Sequence, residues 1–115
     1  MGIAVVFPVK LFPNLEAALK GVFNRVLTTL VLMGNSIMDE GAIAIAEALK
    51  VNAGLTSVDL QFNKIGNEGA KAIAEALKVT AVLTKLDIGV NNMGDAGKKA
   101  VQDAVKDRSG FVLEL

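Results

Sequence analysis

The stretch LTSVDLQFNKIGNEGAKAIAEALKVTAV, Leu55 to Val82, decides the fold. Laid over Leu27 to Gly54, it matches at about 17 of roughly 28 positions, and it recurs more loosely from Leu83. Two unrelated helices sharing a bias for alanine would not agree in their preceding residues as well. The chain is therefore built of repeats, and each repeat must be a small unit that hides its apolar side against the next copy.

Each copy opens with the same kind of segment: Leu27 to Asn35 (LTTLVLMGN), Leu55 to Asn63 (LTSVDLQFN) and Leu83 to Asn91 (LTKLDIGVN). Leu30 and Leu32, Val58 and Leu60, and Leu86 and Ile88 alternate with variable residues, which predicts a short strand whose repeated residues face inward. Alone, such a strand would not persist. Stacked about 4.8 Å from its copies it forms a parallel sheet.

A helix follows each strand, over Asp39 to Val51, Asn67 to Val79 and Asp95 to Asp107. Asp39, Asn67 and Asp95 share one register and are read as the N-caps of these helices, with Glu40 and Glu68 suiting the positive end of the helix dipole. Ala42, Ile45, Ala46 and Leu49, and again Ala70, Ile73, Ala74 and Leu77, form apolar stripes whose small alanines allow close packing. Lys98 and Gln102 stand where the second copy has Ala70 and Ala74. The third helix is therefore expected to turn that flank to water as a C-terminal cap.

Residues 1–26 follow the same order of parts without the motif. Ile3 to Phe7 reads as a strand ended by Pro8, and Asn14 to Phe23 as a helix capped by Asn14 behind Pro13. At the other end, Leu113, Glu114 and Leu115 repeat the apolar-polar-apolar signature of an edge strand, so the chain is expected to end near its natural boundary. The expected organisation is a single domain: a degenerate unit over 1–26, repeats over 27–54, 55–82 and 83–110, and an edge strand over 111–115.

The pattern L-x-x-L-x-L-x-x-N, followed by a helix G-A-x-A-I-A-E-A-L, resembles leucine-rich repeats of the ribonuclease-inhibitor-like class, well from Leu27 onward and poorly before it. Similar repeats occur in nucleotide-binding innate immune receptors, in the activator of the nuclear-transport GTPase and in tropomodulin. The resemblance implies an α/β fold: a right-handed solenoid with a short parallel sheet on its concave face and helices on the convex one. It also implies that Asn35, Asn63 and Asn91 form a structural ladder, their amides pairing backbone groups of the turns.

Composition narrows the function. Over 115 residues the chain is 52% hydrophobic and 21% charged, with twelve basic and twelve acidic residues and no net charge. A packed core is expected, and nothing draws the chain to nucleic acid or to an anionic membrane. No cysteine is present, so disulfides and thiolate metal sites are excluded and a reducing, cytoplasmic setting is the expectation. The run Ile3 to Phe7 is too short for a signal peptide, and no apolar run approaches the roughly 20 residues that span a bilayer.

Without His, Cys, Tyr or Trp, no histidine-based triad or zinc cluster can be built. Gly94 to Lys99 (GDAGKK) looks like part of a phosphate loop, but Asn92 and Lys99 stand where that motif needs glycine and Ser or Thr. Because the second copy has GNEGAK in the same register, the segment reads as a helix entry. No cofactor and no metal are expected, and the chain is read as not an enzyme.

What remains is a surface. Asp59, Asp87 and Glu114 take the same outward position on successive strands and form an acidic row, with Lys85 beside it. Two carboxylates about 5 Å apart in water repel by on the order of 0.8 kcal/mol, which a solvated face tolerates. Val31 and Met33 make the start of the face apolar, and Gln61 lies between. The expected partner is another protein docked on Val31, Met33, Asp59, Gln61, Lys85, Asp87 and Glu114. The rival is self-association through edge strands, with Ile3, Val5 and Phe7 outward on the first; a slip of one residue would instead turn Val5 inward and Ala4 and Val6 outward. Both registers fit the sequence.

Overall fold

Inward and outward residues separate cleanly once the strands are placed. The computed structural model describes the backbone of Ala4–Val6 and residues 28–115. Among these, β1 (Ala4–Val6), β2 (Thr29–Val31), β3 (Ser57–Asp59), β4 (Lys85–Asp87) and β5 (Val112–Glu114) form one 5-stranded sheet in sequence order. Every neighbouring pair is parallel. Leu30, Val58 and Leu86 pair across the sheet and are buried, while their strand neighbours are not. The alternation read from the sequence is thus the partition of the sheet into a core face and an outer face.

Between strands run α1 (Met38–Val51), α2 (Asn67–Val79) and α3 (Asp95–Val105). A parallel sheet needs such crossovers, because a tight hairpin cannot reverse the chain twice. Ile45 and Leu49, Ile73 and Leu77, and Val101 close over Leu30, Leu32, Val58, Leu60, Leu86 and Ile88 in one continuous core. Each fully buried leucine or isoleucine contributes about 1.5–3 kcal/mol relative to exposure. The helices also touch one another closely. A Cβ at Gly69 would sit 2.9 Å from the Ala42 Cβ, and one at Gly97 would sit 3.1 Å from the Ala70 Cβ, so glycine and alanine in those places set the spacing of the stack. Lys98 and Gln102 on α3 are exposed, in the register where Ala70 and Ala74 are buried.

The asparagines link one turn to the next. Asn63 is fully buried; its Oδ1 accepts from the N–H of Asn35 at 2.8 Å, and its Nδ2 donates to the carbonyls of Leu32 at 2.9 Å and Gln61 at 3.0 Å. Asn91 repeats this one unit on, accepting from the N–H groups of Asn63 at 3.0 Å and Ile65 at 2.9 Å. Thr56 and Thr84 add a second link, their hydroxyls donating to the carbonyls of Thr28 and Thr56.

The helix caps differ from the sequence reading. Asp39 does not cap its own helix: α1 begins after Ile37 with no side-chain cap. Its Oδ1 instead accepts from the N–H groups of Gly66 at 2.7 Å and Gly69 at 3.0 Å, at the start of α2. Asn67, the first residue of α2, likewise accepts from Gly94 at 2.8 Å and Gly97 at 2.9 Å, at the start of α3. The starts of α1 and α2 therefore each present the acceptor that completes the next helix. The stack is close enough for a neighbour's side chain to satisfy these otherwise unpaired N–H groups. Asp95, third in the register, is exposed and makes no such bond among the described residues.

At the last unit, the Arg108 guanidinium donates to the carbonyls of Leu77 and Leu83 and lies over the Phe111 ring. It ties the final turn to the C-terminal end of α2, where a cation is favoured.

The register of the first strand follows from its pairing. Val5 lies opposite Leu30, a core position, and Ala4 and Val6 lie opposite Thr29 and Val31. This is the slipped register, in place of the one that puts Val5 on the outer face. Ile3, Phe7 and the expected helix Asn14 to Phe23 lie outside the described residues.

Candidate functional site

The outer face of the sheet is organised as rows that cross the strands. Val31, Asp59, Asp87 and Glu114 pair in register on β2 to β5 and form one continuous row, with Val6 in register on β1. Thr29, Ser57, Lys85 and Val112 form the row toward the strand starts, and Lys85 and Val112 are exposed. Beyond the strand ends come Met33, exposed, Gln61, half-buried, and Gly89, buried. The seven side chains expected to meet a partner thus lie on one face, and none belongs to the core.

The carboxylates are partly held. Asp59 accepts from the Gln61 N–H at 3.0 Å and from its Nε2 at 3.1 Å, and Asp87 accepts from the Gly89 N–H at 3.0 Å. These short loops back fix the side chains in place. No ion pair neutralises Asp59, Asp87 or Glu114 among the described residues, whereas the helical acids Glu47, Glu75 and Asp103 pair with Lys50, Lys78 and Lys99 on their own helices. Negative charge therefore remains on the strand side.

One ion pair on α3 shifts the protonation of both its partners. The hydrogen bond between Lys99 and Asp103, aided by their mutual attraction, raises the ammonium pKa and lowers the carboxyl pKa, on exposed α3. No group of three or more metal-ligating side chains occurs among the described residues. The segment Gly94 to Lys99 is the entry to α3, and the Asn67 amide already occupies the Gly94 and Gly97 N–H groups that a phosphate would need.

The loops that leave the strands hold a feature that hydropathy alone does not show. Gly34, Phe62 and Val90 share one register, and all three are left-handed, with φ of 75°, 58° and 51°. Gly34 was the available signal, since glycine often marks a positive φ.

The family model described as leucine rich repeat matches residues 23–46, 51–74 and 81–101, more than half of the chain. The chain belongs to the leucine-rich repeat family. Among solved structures, this leucine-rich repeat chain is similar to one titled leiomodin-1 actin-binding site 2, at 26% identity and a TM-score of 0.78. That alignment covers 95% of this chain and 68% of the other. A comparison with curated protein sequences finds no match. Among the described residues, no helix is long and apolar enough to cross a membrane.

Proposed function

We propose that this leucine-rich repeat chain is a non-enzymatic module that binds another protein on its concave sheet. One observation carries the reading: Val31, Asp59, Asp87 and Glu114 come from four adjacent strands, lie in register on the outer face and are not needed by the core. Val31 and Met33 supply apolar anchors, and the carboxylates, with Gln61 and Lys85, supply orientation and partner choice. The solved neighbour carries an actin-binding site by its title, so actin is the first partner to assay. The cysteine-free sequence supports a cytoplasmic setting.

The test uses labelled monomeric actin in fluorescence anisotropy and filaments in co-sedimentation. Binding by the wild-type chain, weakened about tenfold or more by Asp59→Lys with Asp87→Lys at an unchanged helical circular dichroism signal, is the expected result. Equal binding by the variant removes the acidic row from the site. Absence of actin binding removes actin as the partner.

A second reading rests on β5, which pairs only with β4 among the described residues and leaves Val112 and Leu115 exposed. Under it the chain self-associates through sheet edges. Sedimentation velocity separates the two: a 12.0 kDa species at every concentration removes self-association.

A further inference from the structure

The left-handed register after the strands is easy for Gly34 and unfavourable for Phe62 and, above all, for β-branched Val90. Burial does not offset this strain, because Phe62 is 52% and Val90 63% exposed. The loops are neighbours: the Phe62 N–H lies 3.3 Å from the Gly89 carbonyl and 3.2 Å from that of Val90, and the Gly34 N–H donates to Gln61 at 3.0 Å. Met33, 47% exposed, supplies the apolar side chain where Gly34 has none. Met33, Phe62 and Val90 thus make an exposed apolar ridge with one side chain per repeat. None of the three side chains is buried in the core.

Phe62 and Val90 share one register and Asp59, Asp87 and Glu114 another, so both repeat at the strand spacing of about 4.8 Å, with Met33 one residue earlier in its own repeat. An α-helix offers side chains on one face at i, i+3 or i+4 and i+7, about 4.5–6 Å apart along its axis. An extended strand repeats a face only every ~6.6 Å and would drift out of step. The adjoining row is acidic, with Lys85 the one cation at the outward strand positions described. We infer that the ridge and the acidic row together seat a basic amphipathic helix lying across the strands, its apolar stripe on Met33, Phe62 and Val90 and its lysines or arginines over Asp59, Asp87 and Glu114. This rests on the concave-sheet reading and names the partner's chemistry.

The probe is a displayed library of alanine-rich helices about 15 residues long, randomised along one face. The best binder is then titrated by anisotropy against the wild-type chain, Phe62→Gly, and Asp59→Lys with Asp87→Lys. The expected winners carry apolar residues at helical spacing beside Lys or Arg. Phe62→Gly weakens the binder about tenfold or more while its thermal midpoint holds or rises, because glycine relaxes the left-handed turn. Enrichment of acidic or uncharged helices, or of none, overturns the inference. So does a fall in the Phe62→Gly midpoint, which would give the ring a role in the fold. If the double lysine variant loses the binder and Phe62→Gly keeps it, the ridge fails and the concave-sheet reading stands; if neither changes binding, both fail.

Discussion

The two full repeats agree along their helices and differ on the outward side of their strands. From Glu40 to Val51 and from Glu68 to Val79 a single position differs, Ile43 against Lys71, and both side chains are exposed. On the strand side Thr29 faces Ser57, Val31 faces Asp59, and the positions of Met33 and Gly34 hold Gln61 and Phe62. The inward residues Leu30 and Leu32 against Val58 and Leu60 stay aliphatic. Between these two repeats, variation therefore gathers on the outward strand side, while the helices repeat even at exposed positions such as Glu47 and Glu75 or Lys50 and Lys78.

The largest effect should come from placing a charge in the repeated region. Ala70 is buried against α3, so Ala70→Lys should cost about 3 kcal/mol or more, or unfold the stack, by urea denaturation. Lys98→Ala, in the same register on the exposed flank of α3, should stay within about 0.5 kcal/mol. Next in size, Asn63→Ala leaves the Asn35 N–H and the Leu32 carbonyl without this partner and should cost about 2–3 kcal/mol.

The caps give a sharper, smaller contrast. Asn67→Ala should cost about 1 kcal/mol because it uncovers the start of α3, while Asp95→Ala should cost under about 0.5 kcal/mol. Equal losses would break the cross-repeat account of capping. Smallest of all, Asp59→Lys should change stability by no more than about 0.5 kcal/mol, since among the described residues its side-chain bonds run only to Gln61. A larger loss would move the acidic row from the variable surface into the scaffold.

Much of this was legible in sequence. The alternation of Leu30, Leu32 and their copies gives the sheet and its core face, and the alanine stripes give the helices. The caps were half legible: Asp39 and Asn67 have the right chemistry, but sequence proximity assigns them to their own helices. Their donors arrive 27 to 30 residues later, brought there by stacking. The first strand was ambiguous because Ile3 to Phe7 is apolar throughout, so only pairing with Leu30 fixes its phase. The ridge was hidden for a different reason: only Gly34 in that register is a glycine, so nothing in the residue types marks Phe62 and Val90 as left-handed.

Backbone amide shift mapping of the wild-type chain with the selected basic helix tests most directly whether the variable side carries the partner. The account predicts that shifts concentrate at Val31, Met33, Asp59, Phe62, Asp87 and Val90, with the exposed faces of α1 to α3 unchanged. Shifts centred on Lys71, Glu75 and the other solvent-facing helical residues would contradict it, and would return the strand side to a merely solvated surface.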